Sequence, residues 1–201
     1  LITVKALPTE ADAGPDQTDA ATCGLTTVSL AANTPTVGTG LWSIVSGTGG
    51  SFANASNPAT TFSGTAGTTF ILRWTISNSP CTASSDDVVV TLNSNPVVAC
   101  PLNMSVEDID PAFALSGTDP AGGTYSGPGV SGGIFDPSVA GLGIHTIQYA
   151  YTSLAGCSNS CTFTIAVTPG CTAYTWYLDA DGDGYYTGAG MTQCASPGPG
   201  Y

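Results

Sequence analysis

FILRWTIS at 70–77 and HTIQYAYT at 145–152 decide the fold. In the first, Phe70, Leu72, Trp74 and Ile76 alternate with Ile71, Arg73 and Thr75, the period-two pattern of a strand with one face in a core. In the second, His145, Ile147, Tyr149 and Tyr151 repeat that face. Ahead of these strands, VSLAANTP at 28–35 lines up with FALSGTDP at 113–120. LWSIVSGTGGSF at 41–52 lines up with TYSGPGVSGGIF at 124–135, matching Trp42 to Tyr125 and Phe52 to Phe135 and leaving the second copy shorter after Phe135. The Cys81 and Cys157 turns follow, each before a β-branched run, so the chain repeats once. Turn clusters such as SGTGG, SGTAG and SGPGVSGG recur at the short spacing of a β-sandwich, and no stretch carries a convincing helical period.

DVVVTLNSNP at 87–96 closes the first copy, FTIAVTPG at 163–170 closes the second, and LITVKALPT at 1–9 has the look of the same closing strand. The expected organisation is a closing strand of a preceding repeat at 1–9, a sandwich at 10–95, a second at 96–169 and a Cys-bounded segment at 170–201. Pro8, Pro96 and Pro169 stand at the joints, where a fixed φ and a missing N–H stop a sheet and stiffen a linker. The chain reads as part of a longer one.

Charge narrows the partners. Lys5 and Arg73 are the only strong cations against 14 carboxylates, a net charge of −12, so there is no basic footprint for nucleic acid or for an anionic lipid surface. No apolar run approaches the about 20 residues that cross a bilayer, so direct membrane insertion is not expected. Seven cysteines, none in C-x-x-C spacing, point to disulfides formed in an oxidising, extracellular compartment. The repeat alignment places Asp108 where the first copy has Cys23. The expected pairs are Cys23 with Cys81, Cys100 with Cys161 and Cys171 with Cys194, leaving Cys157 as a free or intermolecular thiol. The alternative joins Cys100 to Cys157 and frees Cys161.

ADAGPDQT at 11–18, GTGLWSIVSGTGGSF at 38–52 and RWTISNSPC at 73–81 resemble the PKD-like, immunoglobulin-type repeats of very large secreted surface proteins of Bacteroidetes, gliding-motility adhesins among them. ACPLNMSV at 99–106 and CTFTIAV at 161–167 are similar to the two ends of hyalin-type repeats. The resemblance implies an all-β chain of tandem immunoglobulin-like β-sandwiches. It also implies an extracellular, bacterial cell-surface location, export by a type IX system, an adhesive or spacing role, and no catalysis.

The sharpest chemical motif is DADGDGY at 179–185. Asp179, Asp181 and Asp183 occupy alternate positions as in an EF-type loop, Gly184 permits the turn, and Tyr185 offers its carbonyl; an all-oxygen set selects Ca²⁺. The segment TWYLDADGDGYYTGAGMTQC also resembles thrombospondin type 3 calcium loops. Gly190 stands where an EF-hand carries its bidentate Glu, and the competing reading is a solvated acidic turn. Asp86 with Asp87, and Glu107 with Asp108 and Asp110, are open to a catalytic or metal reading but fit charged strand edges better. His145 lies opposite Phe70 in the alignment, on a core face, and no G-x-S-x-G elbow accompanies it. Trp42 and Trp74 fit a core, while Trp176, beside Tyr174 and Tyr177, is the better exposed aromatic.

These readings converge on a non-catalytic structural region of a surface stalk, filament or adhesin, stiffened by disulfides and calcium, whose partners are neighbouring repeats, surface glycans or like subunits. The rivals are a carbohydrate-binding accessory region of a secreted hydrolase and a filament subunit that lends the strand at 1–7, through Ile2 and Val4, to a neighbour.

Overall fold

The computed structural model describes residues 5–171, 173–179 and 189–194. Ile2 and Val4 lie outside the described residues; residues 5–9 form no strand. The chain is all-β and divides into two compact units, one of Leu1–Val98, Pro120–Gly123 and Ala150–Ser160, the other of Ala99–Asp119, Thr124–Tyr149 and Cys161–Tyr201.

The first repeat begins with a 3-10 turn at Asp19–Thr22 and continues as β1 (Thr27–Ser29), β2 (Thr39–Ser46), β3 (Ser51–Phe52), β4 (Thr61–Ser63), β5 (Thr68–Ser77) and β6 (Ser84–Leu92). One sheet has the order β1-β4-β3 and the other β2-β5-β6. Gln17 adds a parallel bridge to Val90 on the outer side of β6. Written as lettered strands, this is B-E-D against C-F-G, the immunoglobulin order.

Period-two alternation does what it predicts: Phe70, Leu72, Trp74 and Ile76 of β5 are all fully buried. They share a core with Val28 and Phe62 from the opposite sheet, with Leu30 just past β1, and with Val88, Val90 and Leu92 from β6. Trp42 stands directly across from Trp74 in the ladder, their rings 5.2 Å apart, and Phe62 meets Phe70 edge-on at 4.9 Å. Gly40 is required beside this pair, because a Cβ there would run into the Trp74 ring.

The second repeat is β7 (Met104–Glu107), β8 (Phe113–Ala114), β9 (Thr124–Ser126), β10 (Val130–Ser131), β11 (Ile134–Phe135), the one-turn helix α1 (Pro137–Ala140), β12 (Gly143–Thr152) and β13 (Ser158–Thr168). Its sheets are ordered β10-β11-β8 and β7-β13-β12-β9. With β8 as B, β9 as C and β12–β13 as F and G, this is the same arrangement, and β7 runs parallel to β13 over four residue pairs, Met104↔Ile165 to Glu107↔Thr168. The chain is thus built of tandem immunoglobulin-like β-sandwiches.

Register corrects one part of the sequence alignment. Phe135 lies opposite Phe113 as Phe62 lies opposite Val28; Phe135 is therefore the counterpart of Phe62, not of Phe52. Val130, paired with Phe135, takes the place of Phe52, which is paired with Phe62. The second repeat loses its residues ahead of Phe135 rather than after it: only Gly132 and Gly133 join β10 to β11, where eight residues join β3 to β4. In return it gains α1, which Asp136 caps by accepting from the backbone N–H of Ser138 and Val139.

Segment 170–201 contributes a two-stranded ladder, β14 (Tyr174–Trp176) with β15 (Met191–Gln193).

Candidate functional site

A short ladder brackets the acidic stretch of sequence. Tyr174 pairs with Gln193, Thr175 with Thr192 and Trp176 with Met191. The indole N–H of Trp176 donates to the Gln193 carbonyl at 3.1 Å, the Thr175 and Thr192 hydroxyls share a hydrogen bond of 3.2 Å, and a disulfide joins Cys171 to Cys194. The hairpin thereby draws together the two ends of the stretch that carries DADGDGY. Asp179 is half-buried at its near end; Asp181, Asp183 and Tyr185 lie outside the described residues. Among the described residues no three His, Cys, Asp or Glu side chains gather closely enough to hold a metal. Trp176 is half-buried, and among the described residues of the hairpin the exposed aromatics are its neighbours Tyr174 and Tyr177.

The other acids have structural duties. Asp86 accepts from the Ala13 amide at 2.8 Å, and Asp16 from the Val89 amide at 2.8 Å. Asp87 receives the Arg73 guanidinium through Nε and Nη2 at 2.6 and 2.7 Å. Those donated bonds hold the Asp87 carboxyl below the usual carboxylate range and raise Arg73 above its own. Asp108 accepts from the Gly170 amide at 2.7 Å and Asp110 from the Glu107 amide at 2.8 Å. His145 is half-buried against the Phe135 ring, with Nε2 2.8 Å from the Gly141 carbonyl. An apolar depression of about 340 Å³ between Val130, Ile134 and Val139 contains one ionisable group, Asp136. That carboxyl is committed to α1: the Ser138 hydroxyl and the amides of the helix's first turn hold it below the usual range.

The cysteines hold the second motif. Cys100 is bonded to Cys161, Cα atoms 5.8 Å apart. Cys23 is bonded to Cys157, at 5.4 Å, not to Cys81, and the cysteine left free among the described residues is Cys81, not Cys157. Geometry gives the reason. Cys23 lies where the chain leaves the first sandwich, with the Gly24 amide on the Asn93 carbonyl and the Asn93 side chain on the Asp19 carbonyl. Cys81 lies at the opposite end of β6, whose nine residues span roughly 30 Å. A disulfide bridges Cα atoms about 4.4–6.8 Å apart. Sequence alignment identified equivalent turns but not the end of the sheet at which each one sits; the spacing of Cys81 from the start of β6 was the available signal.

No protein-family model and no curated protein matches the sequence. Solved structures similar to it include mouse cadherin-23 repeats EC22–24, 15% identical over 86% of this chain and 70% of that one, TM-score 0.38. The insect immune protein hemolin is 9% identical over 81% of this chain and 46% of its own, TM-score 0.42. The N-terminal Ig1–2 module of the Drosophila receptor protein tyrosine phosphatase DLAR is 12% identical over 81% of this chain and all of its own, TM-score 0.31. The immunoglobulin assignment rests on the strand order itself.

Proposed function

We propose that this chain is a non-catalytic structural region of an extracellular, cell-surface protein, a run of immunoglobulin-like repeats that spaces or presents an adhesive surface. One observation carries the reading. The large aromatics of both sandwiches, Trp42, Trp74, Phe62, Phe70, Phe135 and Tyr149, are turned into the cores, so neither sandwich presents the aromatic row on which sugars stack. Three disulfides agree with an oxidising compartment. The finer identity, a PKD-like repeat of the Bacteroidetes surface type exported by a type IX system, belongs to the same reading. So does a Ca²⁺ ion held by Asp179, Asp181, Asp183 and the Tyr185 carbonyl.

Two measurements test it. On a glycan array the folded chain is expected to bind nothing; binding abolished by Tyr174→Ala with Tyr177→Ala would replace the stalk with a carbohydrate-binding region. Calorimetric titration with Ca²⁺ is expected to give heat at about 10⁻⁴–10⁻³ M, the range of extracellular modules, and none after Asp181→Ala. Equal heats from both proteins, or no heat from either, would reduce DADGDGY to a solvated acidic turn.

A further inference from the structure

The free thiol of Cys81 has a bonded counterpart in the same chain. Cys81 sits in the turn between β5 and β6, and Cys157 in the turn between β12 and β13; these are the same closing hairpin of the two repeats. Each hairpin also grips the backbone that leads into its own repeat. Asn78 donates through Nδ2 to the Ala6 carbonyl at 2.8 Å, and Asn159 donates through Nδ2 to the Pro96 carbonyl at 2.9 Å. The Cys81 sulfur lies 3.5 Å from the same Ala6 carbonyl. Both cysteines therefore mark the inlet end of a repeat.

Cys23 marks an outlet end, beside Asn93, where the chain leaves β6. The one completed bond of this kind, Cys23–Cys157, joins the outlet cysteine of one repeat to the inlet cysteine of the next, both within the first compact unit. The outlet of the second repeat is built alike, with the Asp108 amide on the Thr168 carbonyl at 2.9 Å. Its side chain is a carboxylate bonded to the Gly170 amide, so the second repeat offers no outlet cysteine.

We propose that Cys81 is the inlet half of a disulfide to a preceding repeat of the same kind, its partner being that repeat's counterpart of Cys23. The bond forms by exchange with a disulfide oxidant such as oxidised glutathione: two protein thiols give one protein S–S bond, and the oxidant's S–S bond is cleaved to two thiols that take up the two protons. The proposal rests on the tandem-repeat part of the reading above and on neither glycan nor calcium binding. A free Cys81 in the test below would remove the bond and leave the stalk standing.

The test adds the missing neighbour. Residues 1–96, with Cys81→Ser in this added copy, are placed ahead of residues 9–201, so that Pro96 of the added repeat takes the place of Pro8. The protein is oxidised in a glutathione buffer, alkylated without reduction, and mapped by mass spectrometry. Only molecules that carry the Cys23–Cys157 bond of the original repeats are counted, which restricts the comparison to folded chains. The expected result is no alkylated cysteine and a bond from the added Cys23 to Cys81. Cys81→Ser in the original repeat should then leave the added Cys23 as the one alkylated thiol. In the 201-residue chain itself, Cys81 should alkylate. Two alkylated thiols in the extended chain, or Cys81 bonded to Cys81 of a second molecule, would overturn the proposal.

Discussion

The two sandwiches share a strand order but are held together differently. The first buries two tryptophans, two phenylalanines and a run of aliphatics in a continuous core, and no disulfide joins two of its own strands. The second has a shorter list, Phe135, Ile147, Phe163, Ile165 and Val167 with partly buried neighbours, and ties its first segment to its last strand through Cys100–Cys161. Small domains bury a smaller fraction of their surface and turn to covalent links. The pair teaches that one topology tolerates either solution, and that the cross-link stands in the sandwich with the smaller core.

This contrast can be broken at its strongest point. Trp74→Ala should cost the first sandwich about 3–5 kcal/mol, the range for removing a fully buried large aromatic. The remaining Trp42 reports the loss by fluorescence in a denaturant titration, while tyrosine signals from the second sandwich hold. Removing Cys100 and Cys161 together, as alanines, should cost the second about 4 kcal/mol, from the chain entropy of a loop of 61 residues. An equal shift in the first sandwich would show that the bond does not serve the second alone.

A finer comparison uses the same small change in each core. Ile76→Val and Ile147→Val should each cost about 1 kcal/mol, because both side chains are fully buried. A much smaller value at Ile147 would mean that the shorter core relaxes around the missing methyl.

The smallest effect is one of pH. Asp136 is held below its ordinary value chiefly by the Ser138 hydroxyl. Its cap therefore stabilises the second sandwich fully above the unfolded carboxyl pKa of about 4, and loses that contribution as pH falls through the lower folded value. A thermal scan from pH 6 to pH 2 should show this step shrink in Asp136→Asn, which keeps a capping side chain without the charge. The Asp87 carboxyl, lowered by Arg73, titrates in the same direction on the first sandwich, and its exposed bridge should weaken further in salt.

Much of this was legible in the residues. Alternation at 70–76 and 145–151 locates the central strands because each side chain on the core face is apolar or aromatic and each one between, Ile71 apart, is polar or small. The strands that stayed out of reach are two or three residues long, such as β3, β8 and β10, too short for any period to register. Phe52 and Phe135 were matched by type, yet only the ladder shows that Phe135 stands opposite Phe113 and so replaces Phe62. The acids at 86–87 and 107–110 are strand-edge and turn groups as their spacing implied, but the backbone amides that Asp86 and Asp108 accept from, those of Ala13 and Gly170, come from distant segments. Cys23 and Cys81 share a repeat and lie at opposite ends of it, a distance that depends on strand length and not on alignment.

The parallel pairing of opening and closing strands has a mechanical consequence. When a chain is pulled by its two ends, strands that run side by side in the same direction are loaded in shear, so all their hydrogen bonds must fail together, whereas antiparallel neighbours peel apart one bond at a time. The second repeat has four residue pairs in that position, along Met104–Glu107. The first has the single bridge at Gln17, with its amide on Val89 and its carbonyl on Thr91, helped by Asp16. The Cys23–Cys157 and Cys100–Cys161 bonds shield residues 24–156 from a pull on the oxidised chain. Once they are reduced, heat and tension should rank the two differently, and the sandwich with the thicker core, which carries the weaker clamp, is the first to yield and lengthen.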